Sequence, residues 1–484
     1  SPTQFEYRNK CELTFGYRYL QSQATVDGSS EPSVDAKIPA VGYMTSGWSG
    51  GVTKPHSCPN TPTEACGVAD LLDDFLSSSP IPPYDPKLHV GLWRCVTMRF
   101  SHRTNQCMII MMHAPSKGGA GAKEDGSDDY SEYFESERKR LIKVLTEKPI
   151  PLPQRDYAGV DLTMIKGDNA EEESAEEKKA PLKVTSIFFQ EYGGLSAPGP
   201  DHPVEHMYGN DYMEEILGKC TFQISPGAFF QVNTRGAETL YNVVVKQIQQ
   251  TAPSEPEKVL LLDVCCGTGT IGLTCIKEGV AGRLLGVDVS GPAIKDAKIN
   301  ALKNWPGSSC NAHFIASRAE LVLSKEIRIA REKYNVTNII AVVDPARDGL
   351  HPDVIKTLRA TGMIQRLIYV SCNPTKSLVR DAAMLCAPPS KKYAGVPFYI
   401  SSASPVDMFP MTLHCEMVMT FDRLNETSAP DEKEKKQSAS SKADEDHETV
   451  TTFGGQPNET GAPDENKKQS LSPIAGGEDE GVDV

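Results

Sequence analysis

Val259-Leu-Leu-Leu-Asp263-Val264, followed by Cys265-Cys266-Gly267-Thr268-Gly269-Thr270-Ile-Gly272, decides how this chain is to be read. Six mostly apolar residues rich in Val and Leu form a buried strand, and the glycines behind them turn it sharply into a helix, Thr270 to Glu278. A second strand, 284–289 (LLGVDV), carries Asp288 near its end, 21 residues after Gly267. Glycines at a strand-to-helix turn let a ligand approach the backbone. An acidic residue ending the next strand can accept both hydroxyls of a ribose.

The texture continues outward in both directions. Helix Pro292 to Asn304 follows, then strands 313–316 (HFIA) and 339–344 (IIAVVD), helix Pro352 to Thr361, and strand 367–372 (LIYVSC). Apolar strands separated by helices imply a doubly wound, Rossmann-like parallel sheet with helices on both faces. His414 to Phe421 (HCEMVMTF) reads as a strand closing the sheet edge. Before Lys219 the pattern is α+β: a strand from Phe5 to Tyr17, a hairpin from Cys95 to His113, a helix from Tyr130 to Thr146 and a strand from Lys183 to Glu191. Three units are therefore expected: an α+β domain over 1–218, the doubly wound domain over 219–424, and a tail over 425–484.

Composition qualifies this picture. Asp and Glu number 64 against 50 Lys and Arg, a net charge of −14 that on its face argues against a nucleic-acid binder. The tail contributes −9, and two Gly- and Glu-rich insertions, 115–129 and 167–181, contribute −2 and −4. The remainder carries +1, so the acidity belongs to segments too poor in apolar residues to offset their ordering entropy, and the tail is expected to be disordered. The longest apolar runs, such as Met108–Met112, are far short of the roughly 18 residues a membrane span needs. Thirteen scattered cysteines with no CxxC pair fit a reducing interior, cytosol or nucleus, and give no support to a metal or iron–sulfur site. The chain starts at Ser1, and an upstream segment is expected.

Four segments could carry chemistry. GxGxxG is shared by NAD and S-adenosylmethionine sites, and Asp263 together with the segments downstream favours the latter. Val343-Asp344-Pro345-Ala346-Arg347 leaves its strand at the carboxyl end, the side that faces the ligand crevice in such sheets; Asp-Pro there is also an ordinary turn signal. Tyr369-Val-Ser371-Cys372-Asn373-Pro374 presents a cysteine in the same crevice, either a nucleophile or a small buried residue. Asp407-Met-Phe-Pro410 and His414-Cys415-Glu416 come last. Glu416 lies inside an otherwise apolar strand (Met417, Val418, Met419), which is costly unless the carboxylate lines a polar site, and that makes it a candidate general base. His414 reads more simply as structural than as a ligand or base.

Taken in this order, the glycine turn, Asp-Pro-x-Arg, Ser-Cys-Asn-Pro and Met-Phe-Pro…His-x-Glu resemble the RNA uracil-C5 methyltransferase family. Gly227-Ala-Phe-Phe-Gln231-Val-Asn233 is similar to that family's Phe-x-Gln-x-Asn segment. The resemblance covers about 219–424, more loosely the strands from Phe5, and is strongest to the eukaryotic homologue-A branch. It implies S-adenosyl-L-methionine as cofactor, a T-loop uridine of tRNA as substrate, an RNA-contacting role for 1–218, and an RNA-recognition module ahead of this region. It also implies roles. Cys372 would add to C6 of uracil, and Glu416 would remove the C5 proton afterwards. Cys265, Gly267, Gly269, Thr270, Asp288, Asp344 and Gln231 would contact the cofactor. Gln231, Asn233, Asp344 and Arg347 would contact the base. The family's Asp-Pro-Pro-Arg has Ala346 in place of its second proline. Cys58, Cys66, Cys95 and Cys107 do not match the spacing of the cluster ligands in bacterial relatives, so no cluster is expected. An RNA cytosine-C5 methyltransferase, whose cysteine usually sits in a Thr-Cys context, a non-catalytic RNA-folding factor and an NAD-dependent oxidoreductase are the alternatives.

Overall fold

The computed structural model describes residues 1–19, 37–45, 51–85, 88–116, 129–155, 181–194, 198–199, 202–251, 255–307 and 310–423. The tail over 425–484 and nearly all of both acidic insertions lie outside the described residues. In chain order the first half contains β1 (Lys10–Tyr19), β2 (Lys37–Met44), β3 (Val52–Thr53), α1 (Thr63–Ser77), β4 (Trp93–Ser101), β5 (Gln106–His113), α2 (Ser131–Thr146), β6 (Val184–Glu191), β7 (Glu205–Gly209), β8 (Met213–Leu217), β9 (Cys220–Ile224) and α3 (Thr234–Gln249). Strands β1 to β7 form one sheet in the order β3-β2-β1-β4-β5-β6-β7.

Strand β5 explains its own unbroken apolar run. Cys107, Ile109 and Met111 point into a core shared with Leu72 and Phe75 of α1 and Leu141 and Leu145 of α2. Met108 and Ile110 point the other way, into a second core shared with the β8–β9 hairpin and α3. A strand buried on both faces has no reason to alternate. The turn of that hairpin holds residues 218 and 219, and its core residues Leu217, Cys220 and Phe222 pack with Val259 and Leu261 of the next sheet.

The second half contains β10 (Val259–Val264), α4 (Thr270–Lys277), β11 (Arg283–Asp288), α5 (Gly291–Asn304), β12 (Ala312–Ala316), α6 (Ala319–Tyr334), β13 (Asn338–Val343), α7 (Pro352–Ala360), β14 (Ile364–Ser371), α8 (Ser377–Cys386), β15 (Tyr399–Val406) and β16 (Glu416–Asp422). The sheet runs β12-β11-β10-β13-β14-β16-β15. Strands β10 to β14 are parallel, and β16 is antiparallel to both of its neighbours. Leu260, Leu262 and Val264 face α6, α7 and α8, while Val259 and Leu261 face α3, α4 and α5. This is the doubly wound α/β sheet expected from the strand pattern.

Two expectations need correction. The strand expected from Phe5 starts only at Lys10, because residues before it leave the sheet: the Arg8 amide donates to the Asn60 carbonyl and the Asn9 amide to that of Val232. The strand expected at the sheet edge is interior. Strand β16 sits between β14 and β15, and β15 is the edge. The sequence of β15, YISSASPV, is mostly exposed and contains a proline, which an edge strand tolerates and an interior one does not. Helices α1, α3, α6 and α8 also went unread.

Candidate active site

The turn after β10 is held open by its backbone. Cys265, Gly267 and Gly269 all adopt left-handed φ angles of 64°, 52° and 80°. The amides of Cys265 and Cys266 both donate to the Val287 carbonyl, at 2.8 and 3.2 Å, which holds the non-glycine Cys265 in that conformation. A Cβ on Gly267 would meet nothing within 4 Å, so the turn has open space on that side for a ligand. At Gly272 a Cβ would lie 2.6 Å from Leu284 and 2.7 Å from the Asp263 carboxylate, so this glycine serves close packing of α4 on the sheet.

Asp288 accepts the Gly267 amide on Oδ2 and the Ser290 amide on Oδ1, both at 2.9 Å. Each oxygen keeps a lone pair, enough for two ribose hydroxyls. Asp263 is fully buried and accepts the Gly272 amide at 2.9 Å. Burial pushes its carboxyl up to about 7, with Asp288 adding to the shift. Asp263 is therefore a brace under the turn rather than a ligand group.

The carboxyl ends of β13 and β14 and the start of β16 converge beside this turn. The Asp344 amide donates to the Val264 carbonyl at 3.2 Å, which places the Asp344 side chain at the mouth. Ser371 pairs with Met417 across β14 and β16, so the next antiparallel step sets Cys372 against Glu416. Glu416 is buried, and that burial pushes its carboxyl up to about 7 against the opposing charge of Arg347. Asp344 is raised well above the carboxylate range by burial, then by Glu416 and Asp263. The Cys372 thiol is raised by burial and by both carboxylates, and lowered by Arg347. Arg347 is exposed, and its charge acts on both Cys372 and Glu416. Cys372, Asp344, Glu416 and Arg347 are thus brought together.

Gln231 is buried, with no side-chain hydrogen bond among the described residues. Asn233 is placed differently. Its Oδ1 caps α3 by accepting the Gly236 amide at 2.8 Å, and its Nδ2 donates to the Met408 carbonyl at 3.0 Å. That side chain braces the motif. Thr270 begins α4, and its hydroxyl bonds the buried Tyr241 hydroxyl at 3.0 Å.

Several residues that build the site were not read from sequence. Asp296, Asn300 and Asn304 lie at i, i+4 and i+8 on α5, one face of the helix. They take the place of a partner strand for β9: Asn304 accepts the Thr221 amide, Asn300 the Gln223 amide and Asp296 the Ser225 amide, at 2.9, 2.7 and 3.1 Å. Asn300 also donates to the Thr268 carbonyl at 3.2 Å, tying the glycine turn to the segment that leads to Gln231. On the other side, buried Asp381 of α8 accepts the Tyr369 hydroxyl at 2.8 Å and the Leu350 amide at 2.7 Å. Arg380 donates to the Asp348 carbonyl at 2.7 Å, so α8 holds the loop that carries Arg347. The i, i+4, i+8 spacing of short Asp and Asn side chains was the available signal for the first set; nothing local marked the second.

A family model described as tRNA (Uracil-5-)-methyltransferase matches residues 205–423. Human tRNA (uracil-5-)-methyltransferase homolog B is 30% identical over 413 residues, covering 84% of this chain and 70% of that protein. The chain belongs to the tRNA (uracil-5-)-methyltransferase family. Within the family, mouse homolog A is 33% identical over 434 residues, covering 88% of this chain. The chain spans 59% of the mouse homolog A and 57% of the human one. The fold is shared with the solved structure of the Pyrococcus abyssi tRNA (uracil-54, C5)-methyltransferase in complex with S-adenosyl-L-homocysteine, at a TM-score of 0.54 and 20% identity over 87% of this chain and 76% of that one. Among the described residues no three His, Cys, Asp or Glu side chains are grouped to hold a metal. No described helix is long and apolar enough to cross a membrane.

Proposed function

We propose that this chain methylates C5 of uridine in RNA, at the T-loop uridine of tRNA, giving 5-methyluridine with S-adenosyl-L-methionine as donor. The observation that carries the reading is the pairing of Cys372 with Glu416 at the carboxyl end of the sheet, beside the glycine turn and Asp344. The turn fits the cofactor: an open face at Gly267, two free lone pairs on Asp288, and Thr270 at the start of α4. Gly269 and Cys265 shape that cradle, and Asp344 closes it at the mouth. When bound there, the cofactor supplies an electrophilic sulfonium methyl group.

C5 of uracil is a weak nucleophile, so the chain's own groups must activate it. Cys372 loses its thiol proton to solvent water, the thiolate adds to C6, and the electron pair of the C5–C6 double bond moves toward C5 and O4. Arg347 and Gln231 steady the developing enolate by charge and by hydrogen bonding. After alkylation at C5, the Glu416 carboxylate takes the C5 proton. The electrons of that C–H bond restore the double bond, and the C6–S bond breaks to release the thiolate. Dividing one difficult substitution into addition and elimination is the gain of covalent catalysis. The target uridine must leave its stack to reach Cys372. Residues 1–218 would contact the T-arm. An intracellular setting, cytosolic or nuclear, goes with such a substrate.

The test is methylation of a panel of unmodified tRNAs, with the product nucleoside identified by mass spectrometry. The reading expects 5-methyluridine in the T-loop. Appearance of 5-methylcytidine instead, or no transfer by folded protein that binds the cofactor, would overturn it.

A further inference from the structure

We propose that Asn9, at the threshold of the N-terminal sheet, is a positioning residue for Gln231 and so makes the first domain part of the base pocket. This rests on the function proposed above. Four hydrogen bonds carry it. The Asn9 amide donates to the Val232 carbonyl at 2.7 Å, and its own carbonyl accepts the Phe100 amide at 2.8 Å. The side-chain Nδ2 donates to the Gln231 carbonyl at 2.9 Å and to the Thr234 hydroxyl at 2.8 Å. The Thr234 hydroxyl in turn donates to buried Glu215 at 3.0 Å. Asn9 thus holds the Gln231 and Val232 carbonyls and the Thr234 hydroxyl while being tied to β4 through Phe100.

Neighbouring contacts have the same direction. Buried Arg99 of β4 donates to the Ala228 carbonyl at 2.5 Å, upstream of Gln231. The Tyr7 hydroxyl donates to the Pro410 carbonyl at 3.1 Å, in the loop that leads to Glu416. The segment 7–9 therefore touches the two loops that frame the pocket. The Asn9 Oδ1 is buried without a partner among the described residues.

Asn9→Ala removes both side-chain donors and keeps the backbone bonds. Gln365→Ala is the comparison: Gln365 donates its side-chain amide to the Gly362 carbonyl at the amino end of β14, away from Gln231. Steady-state methylation of T-arm RNA should show KM for RNA rising about tenfold in Asn9→Ala, the scale of lost neutral hydrogen bonds. KM for S-adenosylmethionine should stay near wild type, and Gln365→Ala should keep wild-type kinetics. Amide exchange of the same proteins should speed up in peptides spanning 229–237 in Asn9→Ala, while those of β10 and α4 stay unchanged. Unchanged exchange over 229–237, or equal acceleration throughout the chain, would overturn the positioning role. Should the wild-type chain transfer no methyl, the function proposed above fails, and the exchange measurement still decides the role of Asn9. With active wild type, an RNA KM in Asn9→Ala equal to that of Gln365→Ala would also overturn it.

Discussion

Cys372 stands opposite Glu416 across the antiparallel pair β14 and β16, one register step beyond Ser371 and Met417. Strand β14 ends there and β16 begins there, so both side chains reach the crevice rather than the interior of the sheet. The pairing is also electrostatic: ionised Glu416 raises the Cys372 thiol, and exposed Arg347 lowers both. Under the proposed mechanism Cys372 and Glu416 would act in sequence on two adjacent carbons of one ring, a task that two neighbouring strand ends suit.

Cys372→Ala should abolish methyl transfer to T-arm RNA, because no other described cysteine occupies the carboxyl end of β14. Cofactor binding, measured by calorimetry, should stay within about threefold of wild type, since the turn at Gly267 is untouched. Methyl transfer at the wild-type rate would remove Cys372 as the nucleophile.

Glu416 should govern the acidic limb of the rate. Its carboxyl is pushed up to about 7, and a base works only when deprotonated. The single-turnover rate should therefore rise with pH through about 7. Arg347→Ala should move that limb to higher pH, because it removes the charge that opposes the shift. In Glu416→Gln, elimination stalls, and an RNA–protein adduct should accumulate on denaturing gels. A rate that falls on raising the pH from 6 to 8, or normal turnover in Glu416→Gln, would sink this assignment.

Asp263 should make the fold less stable toward alkaline pH. Its folded-state value of about 7 lies above that of an exposed Asp, about 4, so the folded protein binds the extra proton between these values. That contribution is complete below about pH 4 and is lost as pH rises through about 7. Asp263→Asn keeps an acceptor for the Gly272 amide without the titration. Its stability relative to wild type should increase between pH 5 and 8 in chemical denaturation. A constant difference across that range would show that Asp263 does not titrate in it.

Two glycines of the turn should separate ligand access from packing. Gly272→Ala presses a Cβ against Leu284 and Asp263 and should cost about 2–3 kcal/mol of stability, as overpacking typically does. Gly267→Ala meets no atom and bears only the left-handed φ of 52°, about 1 kcal/mol. Yet it fills the open face of the turn, so it should weaken cofactor binding far more than it lowers the melting temperature. Equal effects of both substitutions on stability, with binding unaffected in Gly267→Ala, would contradict the open cradle.

Much of the doubly wound sheet was legible because its signals are local. Strands β10, β11, β13 and β14 are apolar runs bounded by Gly, Pro or a charged residue; the first three lie within one residue of where the sequence places them, and β14 starts three residues earlier. The edge was misjudged for a reason of the same kind. Strand β15 is exposed and Ser-rich, so its periodicity carries no burial signal, and His414–Phe421 took its place at the edge. Asn233 and Gln231 share a motif, yet only the structure separates them, as Asn233 spends its amide on Gly236 and Met408.

The sequence by itself determined the family, the parallel sheet, and the residue types at its carboxyl ends, because strand periodicity and the glycine turn act over fewer than about ten residues. Tertiary structure alone decided which of those residues meet. Cys372 faces Glu416 through a strand inserted out of chain order, and Asn9 reaches Gln231 across 222 residues of sequence. Such contacts arise from the pairing of distant strands and the packing of two sheets on a shared core, and no local pattern encodes them.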